Sequence, residues 1–544
     1  MRQVSLPGLA FGVLFFALSL TPSLIPRGFL VQGILSGCAF AVGYAVGATI
    51  DWTWQYLGFR LPERLNRVLI LVTLVVCIVV AGYCLSQAAG WQNIVRDAMG
   101  ERRLEVSHPL MVVAVALLPA IVLTVLGTLV TTSVRKVAAL LRRLLPPRVA
   151  FLGSLTIVGV VVALLFSGVL LRGVLRAADN FYAEFDTLAG RFGTAPADPR
   201  RSGSAASLIR WDTIGHDGRL FVDTGPTGAE IEGVIGRPAV EPLRVYVGLR
   251  SAPTVGERAQ LALAEMLRVG AFDRSILVIA TPVGQGWVDP AAMDTLEYLM
   301  AGDVATVALQ YSYLVSPLAL LVEPEYGQEA ATALFEVVYG YWTALPRDSR
   351  PRLFLHGLSL GAHHSQESVR MLDMLGDPFQ GALWSGPPFT SPLWTFATRE
   401  RQLGSPEWRP RYGNQSLIRF TNDGTGLANG DRAWGPIRVA FLQHPSDPIV
   451  FFDTALWRRE PDWMKGERGP GVPSALHWFP IVTFLQVAMD MALSQATPVG
   501  YGHVYATADY LRAWVDLVEP PGWTTESLAE LERSLPENPA GIGQ

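Results

Sequence analysis

Lysine is almost absent from this chain of 544 residues, charge of either sign is thin, and cysteine stops early. Only Lys136 and Lys465 accompany the arginines, and charged residues make up 17% of the sequence, below the quarter usual for soluble domains. Together with a mean hydropathy of +0.30, that shortage excludes an ordinary soluble enzyme. The 43 basic and 47 acidic residues leave a net charge of -4 with no long run of one sign, so the electrostatic footprint of a nucleic-acid binder is missing. Cys38, Cys77 and Cys84 all lie in apolar runs. The later chain therefore has no disulfide framework or thiolate zinc site, and a metal there would need histidine and carboxylate ligands.

What the sequence does have is apolar length. Five runs, at about 5–25, 29–50, 68–88, 109–133 and 149–171, are each long enough to cross ~30 Å of hydrocarbon and contain no ionisable residue. Ion pathways usually carry such residues at membrane depth, so these runs read as an anchor and not as a transporter. Gly33, Gly37, Gly43 and Gly47 in the second run stand at two G-x-x-x-G spacings, which predicts close helix packing. Arg2, Arg60, Arg64, Arg67, Arg135, Lys136, Arg142, Arg143 and Arg148 fall on one set of loops; Arg27, Arg96, Arg102 and Arg103 fall on the other. The richer set belongs in the cytoplasm. Five spans then place the amino terminus inside and everything beyond about residue 175 outside, in the periplasm or exterior, of a multi-pass inner-membrane protein. The first run lacks a well-placed small-x-small cleavage site and is followed at once by another span, unlike a signal peptide.

Residues 1–175 thus read as a helical membrane domain, 176–242 as a linker with small strands, 243–525 as a catalytic domain and 526–544 as a tail. The Gly, Pro, Ser and Arg of 190–205 suggest the linker, and 207–211 and 219–222 suggest short strands. Beyond Leu243, buried apolar strands at 243–249, 276–281, 305–311, 352–356, 381–385 and 437–443 alternate with helical stretches. That alternation predicts a mostly parallel, doubly wound α/β sheet covered on both faces. Thr254 with Glu257 forms a capping box, and Asp289 before Pro290 an N-cap, so two helix starts are encoded locally.

The strand 352–356 runs into Gly357-Leu-Ser359-Leu-Gly361 and a helix. In a G-x-S-x-G elbow the sharp turn holds the serine at the strand tip, and the glycines spare its neighbours a collision. Serine needs a base, normally a histidine oriented by a carboxylate, in the order serine, acid, histidine. Of His444, His477 and His503, the last lies in a glycine-flanked loop near the domain's end and is the candidate base. Asp447, on the loop after strand 437–443, is the candidate acid, with Asp453 as the fallback. The oxyanion donors are expected from Leu360 and from Val283-Gly-Gln-Gly-Trp287, through Gln285 or Gly286. His363 and His364 are adjacent on a helix and face different ways, which favours structural roles over a metal site.

The elbow, Asp447 within His-Pro-Ser-Asp-Pro-Ile-Val and Gly502-His503 together resemble the α/β-hydrolase superfamily. Ser19-Leu-Thr-Pro-Ser-Leu-Ile-Pro-Arg27, Arg244-Val-Tyr-Val-Gly-Leu249, Gly286-Trp-Val-Asp-Pro290 and Trp384-Ser-Gly-Pro-Pro-Phe389 are more similar to a bacterial group of membrane-anchored α/β hydrolases with a multi-span N-terminal domain. That resemblance implies an eight-stranded-type sheet, no cofactor, and Ser359, Asp447 and His503 as catalytic triad. Stretches of about 386–436 and 454–496 would form an apolar cap, which together with the membrane points to a hydrophobic ester or lipid-like substrate. The expected function is an esterase- or lipase-like serine hydrolase that cleaves or transfers an acyl group. The alternative is a lipid- or partner-binding membrane protein with an inert hydrolase-like domain.

Overall fold

The computed structural model describes residues 5–59, 62–106, 108–165, 194–313, 324–369 and 376–537. Two compact units emerge, and the chain crosses between them more than once. One comprises Met1–Gly173 together with Phe452–Ser494, and the other Val174–Phe451 with Gln495–Gln544.

The first unit is helical: α1 (Leu6–Ser19), α2 (Phe29–Tyr56), α3 (Glu63–Ala98), α4 (Pro109–Leu141) and α5 (Pro147–Leu164). The last four are long and apolar enough to cross a membrane by length and composition. The first expected span differs. Its helix is 14 residues long, about 21 Å at ~1.5 Å per residue, because Pro22 and Pro26 turn the remainder of that run into an irregular segment. The end of the fifth run lies outside the described residues.

The glycines of α2 do what their spacing predicts. A Cβ on Gly33 would stand 2.6 Å from Val115 Cβ, and one on Gly37 would overlap the Ala116 carbonyl, both on α4. On Gly43 and Gly47 it would overlap the carbonyls of Phe11 and Pro7 on α1. Two small-residue steps thus let one helix approach two partners at backbone distance. These contacts run α2 antiparallel to α1 and parallel to α4, so residues 20–28 and 99–108 share one end of the bundle.

The second stretch assigned by sequence to a cap, about 454–496, falls almost wholly within Phe452–Ser494, which folds into the helical unit. Its helix α14 (Val482–Ala492) places Val482 in a buried cluster with Phe15 of α1 and Ala39 of α2, flanked by Phe479, Ile481 and Leu485. Asp490 on this helix is fully buried and accepts from Arg27 Nε at 2.9 Å and from the Leu24 N–H at 3.1 Å. It also bonds Ser23 Oγ and forms an ion pair with Arg27 Nη2 at 2.8 Å. Gln486 Nε2 donates to the Thr21 carbonyl. The loop residues that interrupt the first apolar run are therefore capped by side chains more than 460 positions away.

The second unit opens with α6 (His216–Asp223) and α7 (Gly228–Ile235). The strands expected at 207–211 and 219–222 are instead a 3₁₀ turn at Trp211–Thr213 and α6. Part of the expected linker is packed as well, since the fully buried Ser202 accepts from the Tyr246 N–H. Then follow β1 (Leu243–Val247), α8 (Val255–Val269), β2 (Ile276–Thr281), α9 (Pro290–Leu299), β3 (Val304–Leu309) and α10 (Pro324–Ala344). After these come β4 (Arg352–Leu358), α11 (Leu360–Ser368), β5 (Gly381–Ser385), α12 (Pro392–Arg399), β6 (Ile418–Thr421) and β7 (Arg438–Leu442). The unit ends with α13 (Pro448–Phe451), α15 (Thr507–Val518) and α16 (Thr525–Ser534), so the expected tail begins as a helix capped by Thr524.

Seven strands form one parallel sheet in the order β1-β3-β2-β4-β5-β7-β6. Both faces are covered, which is why the strands read as continuous apolar runs. Edge strand β6 comes from the stretch assigned by sequence to a cap. The predicted caps at Thr254 and Asp289 are present: the Glu257 N–H donates to Thr254 Oγ1, and the Ala291 N–H to Asp289 Oδ1.

Candidate active site

The central strand β4 turns into α11 at Ser359, whose φ of 57° and ψ of -124° lie where a side chain is seldom tolerated. Its flanking glycines show what that turn demands. A Cβ on Gly357 would overlap the Gly361–Ala362 backbone, and one on Gly361 would overlap the Thr281 carbonyl at the end of β2. Ser359 N–H donates to the Ser385 carbonyl at 2.9 Å, which ties the elbow to the tip of β5. The serine is 8% exposed, and its hydroxyl sits at the carboxyl edge of the sheet, where open α/β folds place their sites.

Asp447 follows β7 and is fully buried. Its Oδ1 accepts from the Ile449 N–H at 2.9 Å, and its Oδ2 bonds His503 Nδ1 at 2.6 Å. Tyr505 O–H donates to the same Oδ2 at 2.9 Å. Burial, and then the Asp447 charge, hold the Tyr505 phenol well above its usual range, so it stays a donor. His503 Nε2 is buried and has no hydrogen-bond partner among the described residues. The ring packs against the residue after the elbow's partner strand: a Cβ on Gly386 would lie 2.6 Å from His503 Cε1, and the Ser385 carbonyl next to it accepts from the Ser359 N–H. One side of the imidazole is fixed by a carboxylate, and the other is free to take a proton.

The loop carrying His503 is itself braced from the Asp447 side. Ser446 Oγ accepts from the Gly502 N–H at 3.0 Å, and His444 Nδ1 bonds the Gly502 carbonyl at 3.0 Å. His444 Nε2 reaches Asp509 at 3.2 Å, and its ring stacks on Tyr505 with centroids 4.2 Å apart. Sequence reasoning missed Tyr505, Ser446 and Asp509. The available signal was Gly-His-Val-Tyr, where Tyr505 follows His503 two positions on; both side chains reach the same Asp447 oxygen.

Other expected residues are placed as follows. His444 is used in that brace, and His477 is exposed in the helical unit. Asp453 caps the 3₁₀ turn at Thr454–Trp457 through the Ala455 N–H and belongs to the helical unit. Of the oxyanion candidates, Leu360 opens α11 directly after Ser359. Gly286 is a correction: its N–H donates to the Val283 carbonyl at 2.9 Å, and its carbonyl accepts from Tyr246 O–H. Gln285 lends its carbonyl to Gln310 Nε2, while no bond of its amide is seen among the described residues. His363 and His364 correct the expectation that they face different ways: both imidazoles turn to Glu367, at 3.5 Å each, with ligand atoms within 4.8 Å of one another, and His363 also lies near Ser391. His356, under the elbow, bonds the Leu383 carbonyl, and burial pushes it down to about 4, so it stays neutral.

A further carboxyl lies close to this group. Asp289, which caps α9 just beyond the 283–287 turn, is buried and accepts from Tyr510 O–H at 2.9 Å. Burial raises it to about 7.

No curated protein and no solved structure matches the chain. Two family models do match: one described as the N-terminus of an alpha/beta-hydrolase family covers residues 20–226, and one described as that alpha/beta-hydrolase family covers residues 243–531. With the elbow, the parallel sheet and more than half the chain accounted for, the protein belongs to this alpha/beta-hydrolase family.

Proposed function

We propose that the protein is a membrane-anchored serine hydrolase that cleaves, or transfers to another alcohol, the acyl group of a hydrophobic ester. The observation that carries this reading is the Asp447–His503 hydrogen bond, with Nε2 left unpaired beside the Ser359 elbow. In the reaction His503 Nε2 takes the Ser359 proton as Oγ attacks the ester carbonyl, and Asp447 holds the Nδ1–H and stabilises the imidazolium. The Leu360 and Gln285 amides receive the oxyanion. Collapse expels the alcohol, which leaves with the proton from His503. Water, or a second alcohol, then attacks the acyl-enzyme with the same histidine as base.

The apolar helices support the anchor, and their loops support an extracytoplasmic catalytic domain. Of the richer basic set, the described Arg67, Arg135, Lys136, Arg142, Arg143 and Arg148 lie at one end of the bundle, and at the opposite end Arg27, Arg96 and Arg103 are paired with Asp490, Glu101 and Asp97.

Membranes carrying the wild type and Ser359→Ala, treated with a fluorophosphonate probe, test the nucleophile directly. Labelling of the wild type alone is expected. Absence of labelling in a folded wild-type preparation overturns the reading and favours the inert, lipid- or partner-binding alternative.

A further inference from the structure

The helical unit contains a cavity of about 250 Å³ that the hydrolase chemistry does not use. That is close to the lower end of small-molecule pockets, ~300 Å³. It lies at the end of the bundle shared by residues 20–28 and 99–108. Its floor is buried and mostly apolar, with Leu20, Ala88 and Val112, and its rim is formed by the exposed Phe29, Val106 and His108.

The polar part of its wall is one-sided. Gln92 is 4% exposed, and its Oε1 accepts from the Arg27 N–H at 2.7 Å, while its Nε2 has no partner among the described residues. The Arg27 guanidinium also lines the cavity, and its charge is already matched by Asp490. Its Nη1 makes only a 3.4 Å contact with Gln32. An amide N–H and a guanidinium N–H are therefore available, in a wall whose net charge is zero. A donor of a buried side chain that lines a cavity is met there by a ligand or by water. Leu110 and Met111, which follow the rim residue His108 in the chain, are 84% and 56% exposed, so an apolar surface adjoins the rim.

We infer that this cavity binds an acyl lipid, with one chain against Leu20, Ala88 and Val112 and an acceptor oxygen of its head on Gln92 Nε2 and Arg27 Nη1. The acceptor is a carboxyl or ester oxygen, so both a free fatty acid and an intact ester carry the required chemistry. The inference rests on the membrane placement proposed above and not on the triad.

The full-length protein in nanodiscs, as Ser359→Ala so that no ester is consumed, is irradiated with a diazirine-bearing fatty acid or a diazirine-bearing acyl ester, and adducts are mapped by mass spectrometry. Adducts are expected in peptides covering 20–32 and 88–112. Ala88→Trp, which fills the floor, should abolish them. Gln92→Met, which keeps volume and removes the donor together with the Oε1 acceptor of the Arg27 N–H, should require about tenfold more probe, the worth of one hydrogen bond. Labelling by the fatty acid alone identifies a product-like occupant, and by the ester alone a substrate-like one; either supports the site. Adducts elsewhere only, or adducts at these peptides unchanged in both variants, overturn it. Thermal melting shows which variants are folded, and Gln92→Met carries the test if Ala88→Trp is not. Because Ser359 is absent throughout, failure here leaves the fluorophosphonate result untouched.

Discussion

Replacing Asp490 by asparagine leaves the Arg27 guanidinium charged inside the helical unit with nothing of opposite sign beside it. Both side chains are fully inaccessible to solvent. The carboxylate neutralises that cation through two N–H groups, at 2.9 and 2.8 Å, while also receiving Ser23 Oγ and the Leu24 N–H. Asparagine keeps an acceptor for Leu24 and removes the charge, so the change isolates the ion pair. Breaking a buried pair by removing one charge costs about 3–5 kcal/mol. At ~2–4 °C per kcal/mol for a unit of this size, melting should fall by roughly 6–20 °C. Arg27→Met combined with Asp490→Asn removes both charges at similar volume, and much of the loss should return. The assay is thermal melting of the detergent-solubilised full chain, followed by tryptophan emission, for the wild type, both single variants and the double variant. A single variant melting within about 1 °C of wild type would refute the reasoning, as would strictly additive losses in the double variant.

Further outcomes follow from the site and the bundle. Asp447→Ala should slow fluorophosphonate labelling by about 10⁴-fold, since the imidazole loses its orienting partner. Tyr505→Phe removes one donor to the Asp447 carboxylate and should slow it only about tenfold, with the fold intact. Asp289→Asn should change how stability depends on pH. Burial raises the folded carboxyl from 3.8 to about 7, so between those values the folded state binds the extra proton. That contribution is complete below about pH 4 and declines, by up to ~4 kcal/mol, as pH rises towards 7; melting curves from pH 4 to pH 8 should show a shallower alkaline loss in the variant. Gly37→Leu drives a side chain into the Ala116 carbonyl of α4 and should prevent recovery of folded protein in detergent, as read by size-exclusion chromatography.

Most of the sheet could be read from the chain because fully buried parallel strands leave plain apolar runs, and β1 to β5 and β7 fall where those runs do. The elbow was equally legible, since its glycines are required by local sterics. Strand β6 was not, because Ile-Arg-Phe-Thr is short and carries Arg419, whose charge is met by backbone carbonyls contributed by a later loop. The segment at 219–222 has too few residues to distinguish a period of two from one of 3.6, and it folded as a helix turn. Hydropathy also overstated the first span, because proline and the pull of Asp490 on Ser23, Leu24 and Arg27 end its helix early. Placing Phe452–Ser494 with the helices depends on partners hundreds of positions away. The one local hint was a lone acid, Asp490, on an otherwise apolar stretch.

The route of the chain through that segment also governs how the protein can be made. The acid-bearing loop ends at Phe451, the chain then spends Phe452–Ser494 among the membrane-type helices, and it returns to supply His503. During synthesis α1 and α2 emerge first and must keep a seat for α14 until nearly the whole polypeptide has been translated. A hydrolase half cut free after the apolar helices would expose Val482 and Leu485 and strand Asp490 without its cation. The pairing of His503 with Asp447 thereby waits for nearly the whole chain, and a polypeptide arrested before its last hundred residues carries Ser359 but neither Asp447 nor His503.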